Sequence, residues 1–116
     1  MKKLSTLAAD LEGRAATRAV ISYNKLAREF GQPRITPENW HSHPFFDPFG
    51  AMDDEDLAKG WPLRTAIVYS EVLNRPGHGF FGVLAKSRGY SIAESQEADE
   101  WVAELSKLQE KYKSNY

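Results

Sequence analysis

The chain has 116 residues, 41% of them apolar and 27% charged, with a formal charge of −1 and no cysteine. That is one domain, and it excludes disulfides, thiolate metal sites and cysteine nucleophiles; the lack of thiols fits a reducing cytoplasm. No run approaches the roughly 18 apolar residues of a membrane span, and Asp10 and Glu12 interrupt the stretch after Lys2-Lys3 that a signal peptide would keep apolar.

Leu4, Leu7, Ala8, Leu11, Ala15 and Ala19 recur at helical spacing, which predicts a helix from 4 to about 20. Ser22 is a good N-cap for a second, shorter helix. Ile21 and Leu26 are placed as a hydrophobic staple, Gly31 as the C′ residue, and Pro33 prevents resumption. One continuous helix from 4 to 30 is the alternative. Pro33, Pro37, Pro44 and Pro48 make residues 33–50 irregular. Trp40, Phe45, Phe46 and Phe49 are too many aromatics for a solvated loop, so this segment should fold back and cap the core. Residues 53–60 read as a helix end closed by Gly60.

Thr65 to Tyr69 is a β-forming run, Asn74 to Gly79 a polar turn and Phe80-Phe81 a second short strand. Together they predict a β-hairpin over about 62–81. Gly82 to Arg88 reads as a short helix closed by Gly89. Ser91-x-x-Glu94 is a capping box for a last helix over about 92–113. Its stripe is Ala98, Trp101, Val102, Leu105, Leu108 and Tyr112. That stripe belongs in the chain's own core, with a homodimer seam as the alternative. The expected fold is α+β and mostly helical, winged helix-turn-helix-like, with one hairpin and an appended C-terminal helix.

Two segments carry a resemblance. Ser22-Tyr23-x-x-Leu26-Ala27 resembles a helix start in winged-helix domains of the alkyltransferase-like DNA-repair group. Pro62-Leu63-x-x-Ala66-Ile67-Val68 with Pro76-Gly77-x-Gly79-Phe80-Phe81 resembles the strand–wing–strand of small bacterial and phage winged-helix-like domains. The resemblance implies an accessory or regulatory role in a phage or other mobile element. It does not carry over the alkyltransferase chemistry, whose cysteine is missing.

Charge is segregated along the chain. Residues 1–39 and 61–90 each sum to +3, residues 40–60 to −4 and residues 91–116 to −3. The hairpin turn is the best candidate for function. Arg64, Arg75, Lys86 and Arg88 would contact phosphates, with His78 in the turn, because Arg pairs with phosphate bidentately and glycines allow close backbone approach. This gives a non-catalytic nucleic-acid-binding protein as the leading expectation. The alternative is a module or inhibitor that docks a basic protein through an acidic surface over residues 47–56, with Asp53, Asp54, Glu55 and Asp56, and over 94–104. His41-x-His43, with His78 and Asp47, has zinc-ligand chemistry but no third ligand at a fixed spacing, so no metal is assigned. Ser70, Glu71 and His78 lack the framing of a nucleophile elbow, and neither a phosphate loop nor a dinucleotide fingerprint is present. No catalytic residue and no cofactor follow.

Overall fold

The computed structural model describes residues 1–113 as a mostly helical α+β unit. Its middle is not a helix but the short buried run 63–68, against which the helices pack. Helix α1, Leu7–Thr17, follows a single 3-10 turn and buries Leu7, Leu11 and Ala15 on one face. It stops at Arg18, which adopts a left-handed conformation with φ 55°. Two helices, not one, therefore occupy the first thirty residues.

Strand β1, Ile21–Ser22, leads directly into helix α2, Tyr23–Glu29. The Ser22 side chain caps α2 by accepting from the Lys25 amide at 3.2 Å. At the far end, Gly31 sits at φ 64°. Its amide and that of Gln32 reach back to the carbonyls of Arg28 and Ala27, a Schellman closure that satisfies two otherwise orphaned acceptors.

The proline-rich segment folds back over α2 as its aromatics require. The Asn24 side chain accepts from the Ile35 amide at 2.7 Å, and Asn39 and Thr36 exchange hydrogen bonds between side chain and backbone. His43 is buried. Its Nε2 lies 2.7 Å from the Pro33 carbonyl and its Nδ1 accepts from the Phe45 amide at 3.0 Å. A carbonyl only accepts, so the ring is the neutral tautomer protonated at Nε2. Both nitrogens are occupied by backbone, and His43 acts as a loop clamp.

Helix α3, Phe46–Lys59, starts seven residues earlier than the acidic run suggests; Pro48 is tolerated in its first turn. Gly60 closes it at φ 66°. Residues 64–67 form a 3-10 turn and strand β2, Val68–Tyr69, pairs in parallel with β1 in the register Ile21–Val68 and Ser22–Tyr69.

The expected hairpin over 62–81 is therefore corrected. The turn falls at 71–74, closed by one antiparallel bridge between Ser70 and Arg75, with Asn74 at φ 56°. Pro76-Gly77 is not its apex but the start of helix α4, His78–Arg88, and Phe80-Phe81 lie inside that helix, both buried. A wing over 62–81 is thus not formed. The physical reason is burial. Residues 63–68 are enclosed on all sides, so neither alternation nor helical period marks them. What fixes them is tertiary: the Glu104 carboxylate accepts from the Leu63 amide at 2.7 Å, Asp56 accepts from the Arg64 amide at 3.0 Å, and the Trp101 indole donates to the Ala66 carbonyl at 2.8 Å.

Helix α5, Glu97–Tyr112, runs along α1 and the central run. It begins after a 3-10 turn in which Gln96, not Glu94, accepts from a backbone amide, that of Ala93. Leu105, Leu108 and Tyr112 are buried in the chain's own core as expected. Val102 instead points outward, and Glu97 and Glu104 take inward positions. No helix among the described residues is long and apolar enough to cross a membrane.

Candidate functional site

A cleft of about 920 Å³ opens between α2, the returning proline-rich segment, α3, the 70–77 turn and the first turn of α4. Its walls are aromatic: Tyr23 from α2, Trp40 from the returning segment, Phe46 and Phe49 from α3 and Phe80 from α4. These rings support one another. Trp40 meets Phe49 and Phe46 edge-on, each at 5.6 Å between centroids, and Tyr23 at 6.0 Å. Such contacts hold large side chains in single orientations. Tyr23 and Trp40 remain partly exposed, whereas Phe49 is buried and forms the base of the group.

The cleft also holds polar groups. Thr65 Oγ1 donates to Asp53 Oδ1 at 2.7 Å. Burial pushes the Asp53 carboxyl up to about 6; the Thr65 hydrogen bond works against that rise and the neighbouring Asp56 and Asp54 add to it. Burial likewise pushes the Tyr23 hydroxyl up to about 12, against the effect of the Gly77 backbone. His41, His78, Arg34 and Glu71 complete the rim. At the tip of the turn, Val72 is 90% exposed, an apolar side chain held out beside the mouth. A rigid apolar pocket with a few convergent polar groups is what ligand sites have in common, and its volume lies at the upper end of their usual range of about 300–1,000 Å³.

The residues expected from sequence to contact phosphate are placed differently. Arg64 is buried. Its guanidinium lies 2.9 Å from Glu12 and 3.2 Å from Asp56, and also pairs with Glu55. Burial pulls its pKa down, but the three carboxylates win and hold the charge firmly. Arg75 bonds Glu97 at 2.8 Å and lies 3.7 Å from Glu94; Arg88 bonds Glu100 at 3.1 Å and lies 2.9 Å from Glu104 as an ion pair. Only Lys86 and His78 are exposed, and of the five residues only His78 lines the cleft.

The acidic set is likewise divided. Asp56 is fully buried beneath Arg64, Glu55 pairs with Arg64 and Lys59, Asp53 faces the cleft, and Asp54 is exposed. In the 94–104 stretch Glu97 and Glu104 are buried and Glu100 holds Arg88.

Sequence reasoning missed the cleft residues Tyr23, Thr65 and Asn24, and also Arg28 and Arg34. The one available signal is the excess of aromatics at 40–49, which by itself points to capping of the core. No family model matches the chain, and comparison with curated proteins and with solved structures returned no match.

Proposed function

We propose that the protein binds nucleic acid without catalysis, and that an unstacked base enters the aromatic cleft. The observation that carries this reading is the set of braced rings, the partly exposed Tyr23 and Trp40 over the buried Phe49, in a cleft that also holds a hydrogen-bonded carboxyl. Aromatic faces take bases of any sequence, at about 1–3 kcal/mol per base. A carboxylate beside them accepts from an exocyclic amine. The reading favours single strands, whose bases can be splayed out, over duplexes. It moves the contact from Arg64, Arg75 and Arg88, which are engaged by carboxylates, to the aromatic cleft.

The test is fluorescence anisotropy with single-stranded DNA, single-stranded RNA and duplex DNA of the same sequence. Single strands are expected to bind more tightly than the duplex, and Trp40→Ala to weaken them about 5- to 150-fold while the circular dichroism spectrum is kept. Equal binding of duplex and single strand, or unchanged affinity in folded Trp40→Ala, would remove the cleft from the account.

A second reading keeps a basic protein partner on the 47–56 face. It rests on Asp47 and Asp54, which are exposed and form no ion pair among the described residues. Replacing both by Asn would abolish such docking and leave single-strand binding intact.

A further inference from the structure

Beside the cleft lies a second hollow of about 270 Å³, lined by Asn24, Ala27, Arg28, Gln32, Arg34 and Glu71. Asn24, Arg34 and Glu71 line both cavities, so the two are neighbours along that edge. Arginine usage across the chain singles the hollow out. Arg14, Arg64, Arg75 and Arg88 each lie within 4 Å of a carboxylate. Among the described residues, Arg18, Arg28 and Arg34 have no such partner, and two of these three, Arg28 and Arg34, line this one hollow. Asn24 spends its side-chain oxygen on the Ile35 amide, which leaves its Nδ2 as a donor.

We infer that the hollow is a phosphate subsite and that the ligand unit is a nucleotide. The base lies in the aromatic cleft, the sugar at the shared edge, and the phosphate on the Arg28 and Arg34 guanidiniums. Glu71 fits this division. A carboxylate at the shared edge opposes a phosphate placed against it but accepts from sugar hydroxyls, so the sugar is the part of the ligand that belongs there. Guanidinium forks match phosphate oxygens bidentately, which a lysine in either place would not do. The inference rests on the base-in-cleft reading and adds the ligand's chemical class and its orientation.

The experiment is an NMR titration of the full chain with the four common ribonucleosides, their 5′- and 3′-monophosphates, inorganic phosphate and a tetranucleotide. The resonances followed are the Trp40 indole and the Arg28 and Arg34 side chains. A monophosphate is expected to bind at least about tenfold more tightly than its nucleoside. Arg28→Ala, which changes the hollow and no lining residue of the cleft, should cut that ratio severalfold and leave nucleoside affinity unchanged. Arg28 is exposed and has no ion pair among the described residues, so the variant should fold. A tetranucleotide that exceeds the monophosphate places the subsite on a strand; equal affinity places it on a free nucleotide. Nucleosides that bind as well as their monophosphates overturn the phosphate subsite and leave the cleft standing. If nothing shifts Trp40, the cleft reading falls and the subsite with it.

Discussion

At the scale of the residue, Asp53 is the most informative side chain. Its carboxyl is pushed up to about 6 from an ordinary 3.8 by burial, in spite of the hydrogen bond from Thr65. A folded-state pKa above the unfolded value means the folded chain holds the proton longer. The associated stability is complete below about pH 4 and is lost as pH rises through about 6. Near neutrality the fold carries a partly buried, ionised carboxylate. Asp53→Asn keeps the oxygen that accepts from Thr65 and removes the charge. The expected outcome is a gain of about 1–3 kcal/mol at pH 7 and a flattened pH dependence between about 4 and 6, read by urea denaturation across that range. A variant whose stability still falls across that window would show that another group titrates there. Arg64 makes the complementary point. Sequence reads it as a phosphate-contacting cation of the hairpin, yet it lies against Glu12, fifty-two positions away, and over the fully buried Asp56. Nothing local in sequence announces a partner at that separation.

At the scale of the element, the chain is legible wherever a backbone rule acts over four or five residues. Ser22 as a cap and Gly31, Gly60 and Gly89 as helix stops are all found where local chemistry puts them, because an N-cap oxygen and a left-handed residue act on neighbouring amides and carbonyls. Residues 62–81 were misread because β-propensity describes a half-exposed pleated surface, and the 63–68 run is exposed on neither side. The same burial turned Phe80-Phe81 from an apparent strand into the inward face of α4. The revised element has its own test. Gly82 is interior to α4, with open space where a Cβ would stand, so Gly82→Ala should stabilise the protein by about 0.5–1 kcal/mol. Gly89 ends the same helix at φ 79°, so Gly89→Ala should cost about 1 kcal/mol although its surroundings are equally open. Opposite signs in thermal denaturation fit a helix from 78 to 88; two equal changes would argue against that helix boundary.

At the scale of the whole molecule, the alternation of basic and acidic segments finds its explanation inside the fold. The 61–90 segment sends Arg64 to Glu55 and Asp56 of the acidic segment before it, and Arg75 and Arg88 to Glu94, Glu97, Glu100 and Glu104 of the acidic segment after it. Charges that looked like two surfaces for two partners are in large part complementary halves of internal pairs, and this is why the candidate sites could not be found from charge runs alone. The distinction is measurable at Arg88. Its side chain is 11% exposed and it stands over Glu104, which is fully buried and holds the Leu63 amide. Arg88→Ala leaves that carboxylate in place without its cation, which should cost about 3–5 kcal/mol. Adding Glu104→Gln keeps an acceptor for Leu63 and removes the stranded charge, so the double variant should recover part of the loss, a coupling that identifies a pair rather than two independent surface residues. Single-strand affinity, measured on the folded fraction, should be the same in the double variant and the parent. If Arg88→Ala instead kept full stability and lost nucleic-acid binding, Arg88 would be a phosphate contact, and the internal pairing of segments would not be what organises the charge of this chain.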